Sequence, residues 1–110
     1  MYAIKEGTRK INDVKFRTFE RNVKYSRADV DVEAGSTGLR GVVPREKSAR
    51  GFVALDCNFG DFFFEPIEDE EGRITGFGIA CCGDSAVMAL MEALSFAQRA
   101  LLDQCTVLSD

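Results

Sequence analysis

Four consecutive residues, Cys82, Gly83, Asp84 and Ser85, form the stretch of this sequence with the clearest potential for chemistry. They lie where a strand-like segment gives way to a long run of helix-forming residues. Free amides at a helix N-terminus can bind an anion or lower the pKa of a thiol. The pattern therefore predicts an anion or thiol site at Cys82, Gly83 and Ser85. Asp84 opposes both effects because it adds a negative charge, and a buried structural thiol is the alternative.

Other chemistry-bearing residues are sparse. The chain has no histidine, so it lacks the usual general base at neutral pH and the commonest metal ligand. The cysteines lack the spacing of a zinc site, and strand alternation directs the adjacent pair to opposite faces. The four are Cys57, Cys81, Cys82 and Cys105. We therefore predict no metal and no cofactor, and these features favour a non-enzymatic protein over an enzyme without deciding between them.

Length and composition are those of one globular domain. The 110 residues fit the usual size of a single domain, here 1–110, and 45% of them are hydrophobic and 29% charged. No charged-then-apolar leader follows Met1, and the cysteines do not resemble a secreted disulfide framework. These features predict a cytoplasmic protein with reduced thiols.

Charge is divided unevenly along the chain. Residues 1–52 hold 12 of the 14 basic residues and 7 of the 18 acids, although the whole chain has a net charge of −4. Segment 35–51 is rich in glycine and in cations, which predicts a basic loop. RNA or DNA binding through Arg45, Lys47 and Arg50 is one interpretation, and pairing with the acidic half of the chain is the other. The negative net charge favours the second.

One long helix is predicted over 84–105, because this segment has no glycine or proline and its apolar residues recur at helical spacing. A stripe of mostly large residues runs beside a ridge of mostly small ones. The stripe comprises Val87, Leu90, Met91, Leu94, Ala97, Leu101 and Cys105, and the ridge comprises Ala86, Ala89, Ala93, Phe96 and Ala100. Glu92, Arg99 and Asp103 interrupt the run, which argues against a membrane-spanning segment.

Apolar residues thus cover more than half of the helix circumference, and such a helix is usually buried on two sides. We expect the sheet to cover one side and a second copy of the chain to cover the other. The small-residue ridge would let the partner's backbone approach closely, although the N-terminal half of the chain is an alternative cover. A homodimer is therefore the predicted assembly.

Alternating apolar residues predict strands ahead of the helix. Segment 13–25 fits either a strand that slips in phase near Thr18 or an amphipathic helix, and a turn or bulge is expected near Ser26 and Arg27. Segment 7–13 is predicted to be a polar turn. The remaining predicted strands are 2–6, 28–34, 52–57, 62–67 and 74–82.

The predicted fold class is α+β, with an antiparallel sheet of four to six strands packed against one long C-terminal helix. Short links between the last three strands predict a C-terminal meander. In 74–82, bulky residues alternate with a smooth face made of glycine, alanine and cysteine. A helix or a neighbouring subunit could approach that smooth face closely.

The leading functional hypothesis is a non-enzymatic, self-associating module with a binding or regulatory role. It would assemble as a dimer through the helix or through the smooth sheet face. The second hypothesis is a protein that binds a small molecule in an apolar pocket between helix and sheet. The predicted lining is Phe62, Phe64, Phe77, Met88 and Met91. A third is a thiol-dependent enzyme that uses Cys82.

Overall fold

The computed structural model describes residues 4–38 and 49–108, with side chains as far as Gln104. Within these ranges it contains six antiparallel strands followed by one helix, which confirms the predicted α+β fold class. The elements are β1 (Lys5–Ile11), β2 (Val14–Tyr25), β3 (Ala28–Ser36), β4 (Gly51–Phe59), β5 (Asp61–Glu68), β6 (Ile74–Cys82) and α1 (Asp84–Leu108).

The first four strands form one antiparallel meander in the order β1–β2–β3–β4. Asn12 and Asp13 make the turn between β1 and β2, with φ values of 48° and 66°. This left-handed conformation matches the twist of a tight hairpin, and asparagine and aspartate tolerate it better than most residues. Ser26 and Arg27 make the next turn, where the sequence predicted a turn or a bulge.

Two predictions for the N-terminal half are wrong. β1 occupies most of 7–13, because an edge strand whose residues are almost all exposed accepts a polar sequence. The alternative helix over 13–25 is also wrong, since β2 pairs with β1 and β3 without a break at Thr18. The alternation of apolar residues slips because the buried face of β2 changes along the strand. Thr18 and Val23 are both buried, although they lie on opposite faces of the strand.

The helix packs on β2 and β3 through its small residues. Ala89 and Ala93 are fully buried and face Val23, Val30 and Val32 of the sheet, which are fully buried as well. The ridge that the sequence assigned to a partner therefore faces the chain's own sheet, and the assignment of that ridge was wrong. The alternative cover, the N-terminal half of the chain, is the one that the structure shows for this ridge.

Gln104, near the C-terminal end of the helix, forms two hydrogen bonds to the backbone of the sheet. Its Oε1 accepts a hydrogen bond from the Ser36 amide at 2.7 Å, and its Nε2 donates to the Arg17 carbonyl at 3.0 Å. One amide side chain therefore joins α1 to both β2 and β3. These two bonds fix the position of the helix along the strands.

Strands β5 and β6 form a separate two-stranded ribbon, and we call residues 61–82 the arm. The predicted C-terminal meander of three strands is therefore interrupted. β4 belongs to the four-stranded sheet, whereas β5 pairs with β6 and not with β4. Gly60 causes the division, because it turns the chain with a φ of 128° and a Cβ there would lie 2.7 Å from the Phe62 ring. We call the remainder, β1–β4 with α1, the body.

The molecule is more extended than a compact domain of its length. Its radius of gyration is 15.8 Å, whereas about 13 Å is typical for 110 residues. Its accessible surface is 7870 Å², whereas about 6,000 Å² is typical of a folded monomer of this mass.

Candidate functional site

Large apolar residues of α1 point away from the sheet. We call Val87, Met88, Met91, Leu94 and Leu102 the outer face of the helix. Their side chains are between 45% and 60% exposed, whereas the alanines across the helix are almost completely buried. Exposed apolar patches of this kind usually mark an interaction site.

The arm exposes a second set of large apolar residues. Phe64 and Phe77 lie on one face of the ribbon and are 52% and 69% exposed. Phe63 lies on the other face, opposite Ala80, and is 57% exposed. The face of β6 that carries glycine, alanine and cysteine is therefore not smooth in the paired ribbon, because β5 contributes large side chains to the same face. The arm is apolar on both sides.

The residues predicted to line a pocket do not share one location. Phe62 is half-buried and packs against the edge of the core, while Phe64 and Phe77 are on the arm. Met88 and Met91 belong to the outer face of the helix. The cavity found within the described residues lies elsewhere, so a pocket lined by these five residues stays a prediction.

The junction at Cys82 has the predicted order of elements, with a strand, a glycine and then a helix that begins at Asp84. Gly83 has a φ of 103°, and its carbonyl accepts the first helical hydrogen bond from Val87 at 3.0 Å. The Ser85 hydroxyl lies 3.3 Å from that of Ser26. Cys82 is exposed, so the alternative of a buried structural thiol is wrong for this residue. An anion or thiol site here stays a prediction.

Cys57 has a less reactive setting than Cys82. It is half-buried beside the core, and burial raises the pKa of its thiol. The neighbouring charges of Asp56 and Cys81 raise this pKa further. Cys57 therefore holds its proton more firmly than an ordinary thiol. No group of three potential ligands in the described part of the chain is placed to bind a metal ion.

The basic segment that suggested nucleic-acid binding is described only at its ends. Arg45 and Lys47 lie outside the described residues, so their role stays a prediction. Arg50 donates from Nε to the Ile11 carbonyl and from its amide to Thr37 Oγ1, both at 3.0 Å. This arginine therefore joins the start of β4 to the end of β1.

A carboxylate on the sheet face turned away from the helix has a complete set of partners. Glu33 accepts hydrogen bonds from Arg9 Nη2 and Thr18 Oγ1, both at 2.7 Å, and from Arg9 Nε at 3.1 Å. The bond from Arg9 is the main reason that the pKa of Glu33 lies below its ordinary value. Burial opposes this shift, and the bond from Thr18 adds to it. Glu33 therefore joins three strands of the sheet, because Arg9 is in β1 and Thr18 is in β2.

A cavity of about 770 Å³ lies beside the helix, on the flank away from β4. Glu92 and Phe96 of α1 form one wall, and Phe19 and Arg21 of β2 form another. Arg21 Nη2 lies 3.4 Å from Glu92 Oε1, and its guanidinium carbon lies 6.0 Å from the centre of the Phe96 ring. This site was not predicted from the sequence, because Glu92 there reads as an interruption of an apolar helix. The grouping of Glu92, Arg99 and Asp103 on one flank was the available signal.

By length and composition, 84–104 could cross a membrane, although helices in the cores of soluble proteins meet the same criterion. In this structure the helix lies on a sheet through its alanines, and Glu92 pairs with Arg21. Only the outer face could therefore contact lipid.

Comparison with protein-family models, with curated proteins and with solved structures finds no match for this chain. A functional proposal therefore depends on the geometry described above.

Proposed function

We propose that the protein is a non-enzymatic, self-associating module. Its functional unit is a dimer in which the arm of each chain packs on the outer face of the partner's helix. The observation that carries this proposal is the distribution of apolar residues. The small ones are buried in the body, while large ones on the arm and on the outer face are exposed. The lack of histidine in the sequence supports a non-enzymatic role.

The amount of uncovered surface supports a dimer. The accessible surface of 7870 Å² exceeds that of a typical compact monomer by about 1,900 Å². A stable interface usually buries about 800 Å² on each partner, and permanent dimers bury more. The large apolar side chains exposed on the outer face and on the arm could supply part of such an interface.

The construction of the arm gives a second reason for a partner. A two-stranded ribbon is at best marginally stable by itself in water. This ribbon contacts the core mainly through Phe62, near its base, and exposes Phe63, Phe64 and Phe77 beyond it. A partner that covers these rings would stabilise the arm by removing apolar surface from water.

A second copy of the chain is the occupant that fits best. One chain carries both an apolar arm and an apolar helix face, so a two-fold axis can cover both at once. An anionic membrane surface fits less well, because 61–82 contains six acidic residues and only Arg73 as a base. Those acids would be repelled by the negative charge of such lipids.

Sedimentation velocity tests the proposal with the full chain, from about 1 to 100 µM, where dimers of moderate affinity dissociate. The expected mass at the upper end is twice 12.1 kDa. Met91→Lys on the outer face and Phe77→Lys on the arm should each favour the monomer. Asp103→Lys, on the flank of α1 away from the outer face, and Glu70→Lys, in the turn at the tip of the arm, are matched controls at exposed positions and should leave the dimer intact.

A wild-type chain that stays monomeric over the whole range would overturn the proposal. So would dimers that persist in both Met91→Lys and Phe77→Lys. A monomer that co-sediments with vesicles of phosphatidylserine and phosphatidylcholine would instead assign the outer face to a lipid surface.

A further inference from the structure

Two half-buried cysteines lie where the arm joins the body. Cys57 is in β4 and packs against the core of the body, and Cys81 is in β6, next to the last residue of the arm. Both are free thiols in this structure. The proposed dimer does not use them, because its contacts lie on the outer face of α1 and farther out along the arm.

The pairing of the arm directs Cys81 towards the same part of the core as Cys57. Cys81 is paired with Phe62 across the ribbon, and directly paired residues of antiparallel strands have their side chains on one face. Phe62 packs against the core, and so does Cys57. Cys81 is therefore on the face of the arm that meets the body. Cys82 follows it in the strand and is on the other face, where it is exposed.

The electrostatic surroundings of Cys57 agree with this placement. Burial is the main reason that the pKa of its thiol is raised, and the neighbouring groups Asp56 and Cys81 add to the shift. Two thiols that influence each other in this way are near neighbours in the folded chain, although one belongs to the body and the other to the arm. Their placement is that of two cysteines that can be joined.

The backbone at the base of the arm allows the two cysteines to approach each other. A disulfide needs their α-carbons within about 7 Å. The chain enters the arm at Gly60 and leaves it at Gly83, with φ values of 128° and 103°. Glycine changes its backbone angles at low cost, so a small rotation of the arm about these two positions can close the bond. We infer that Cys57 and Cys81 form a reversible dithiol–disulfide pair that fixes the arm to the body under oxidising conditions.

A small-molecule disulfide, here oxidised glutathione, is the oxidant. The Cys81 thiolate attacks one of its sulfur atoms, which forms a mixed disulfide and releases one glutathione, and this takes up a proton. Cys57 gives its proton to water and attacks the Cys81 sulfur, which releases the second glutathione. The two protein thiols lose two electrons, and one glutathione disulfide is reduced to two thiols. This inference does not depend on the proposed dimer.

Oxidation of the full chain with oxidised glutathione at low protein concentration tests the inference. The intact mass should be that of a monomer less two hydrogen atoms. Trypsin cleaves after Arg50, Arg73 and Arg99, so it should yield peptides 51–73 and 74–99 joined to each other. Dithiothreitol should separate them. Fragmentation of the joined peptides should locate the bond at Cys81 rather than at Cys82.

The adjacent cysteines supply matched variants. Cys81→Ser should abolish the bond, because it removes the thiol on the face that meets the body. Cys82→Ser, one residue along, removes a thiol from the other face and should leave the bond intact. Cys57→Ser should leave only mixed disulfides with glutathione. If a variant does not fold, fragmentation of the joined wild-type peptides decides between Cys81 and Cys82.

Hydrogen exchange measures what the bond does to the arm. In the oxidised protein the amides of β5 and β6 should exchange about tenfold more slowly than in the reduced protein, because the bond limits the opening of the arm. Unchanged exchange would overturn the claim that the bond fixes the arm. A wild type that yields only mixed disulfides with glutathione would overturn the pair itself, as would a bond that persists in Cys81→Ser.

Discussion

The body and the arm differ in which of their apolar residues they protect from water. In the body, the fully buried side chains are alanines, valines and Thr18, and a helix lies close to the sheet across them. In the arm, phenylalanines are more than half exposed on both faces of a thin ribbon. Side-chain size alone therefore does not decide what is buried in this molecule. The distance at which two elements pack decides it.

This difference separates two sources of stability. The body is closed by short side chains between α1 and the sheet, so it should be stable as a single chain. The large side chains of the arm and of the outer face contribute little to the stability of the monomer, because they stay exposed to water until another surface covers them. Variants of the two regions should therefore respond differently to protein concentration.

The largest effect is expected from Ala93→Leu in the body. Ala93 has no exposed surface, and three extra carbon atoms would push the helix off β3, which should cost about 3 kcal/mol of unfolding free energy. Leu94→Ala, one residue along and half exposed, is the control and should cost less than about 1 kcal/mol in the monomer. Urea denaturation at low protein concentration measures both. A stable Ala93→Leu variant would contradict the packing described for α1.

A smaller loss is expected from Gly60→Ala, where the body meets the arm. An added Cβ would be strained at a φ of 128° and would contact the Phe62 ring, at a cost of about 2 kcal/mol. Gly51→Ala is the control, because a Cβ at Gly51 has no atom within 4 Å. Hydrogen exchange should show the loss of protection in β5 and β6 first. Uniform loss of protection over β1–β4 would mean that the arm and the body unfold together.

Glu33→Gln should lower the stability of the body by about 1–2 kcal/mol at pH 7, because it weakens the charged hydrogen bond to Arg9. The pKa of Glu33 is lowered in the folded state, so its contribution is present above the pKa of the unfolded chain. That contribution is lost as the pH falls through the folded pKa. Urea titrations between pH 7 and pH 3 should show a weaker pH dependence in the variant. An unchanged dependence would show that Glu33 does not contribute to acid unfolding.

Phe77→Ser in the arm should change the stability of the monomer by less than about 0.5 kcal/mol, because Phe77 is 69% exposed. At high protein concentration its melting temperature should fall below that of the wild type, since association stabilises the folded chain. Calorimetry at two concentrations makes the comparison. An equal loss at both concentrations would show that Phe77 is packed within its own chain.

The smallest effect is chemical and leaves stability unchanged. Cys82 is exposed at the base of the arm, whereas Cys57 is half-buried and its pKa is raised. Iodoacetamide at neutral pH should therefore alkylate Cys82 about tenfold faster than Cys57. Peptide mass spectrometry of the folded protein measures the ratio. Equal rates would show that Cys57 reaches solvent as readily as Cys82.

Local sequence features predicted the elements of the fold better than their packing. The helix was predicted to begin at Asp84, and β6 spans the predicted 74–82, because glycines and alternating residues mark such boundaries. The orientation of the helix was not predictable from periodicity, since the ridge of Ala89 and Ala93 and the stripe of Met91 and Leu94 are both apolar. Only the close approach of β3 selects the alanines.

The candidate sites were harder to predict for two physical reasons. Phe63 and Phe64 read as core residues, and nothing local shows that Gly60 would carry their strand away from β4. The cavity depends on Phe19 and Arg21 of β2 and on Glu92 of α1, which is distant from them in sequence and meets them only after the helix has packed. Long-range contacts of this kind have no signature in a single sequence.

The two ends of the arm lie side by side, because Asp61 is paired with Cys82 across the ribbon. The arm is therefore a hairpin inserted between β4 and α1, and the chain leaves the body and re-enters it at neighbouring positions. Joining Gly60 to Gly83 through a short linker would remove the arm without moving β4 or α1. The truncated chain would retain the sheet, the helix and the aromatic cavity, and it would show whether those parts are sufficient for folding.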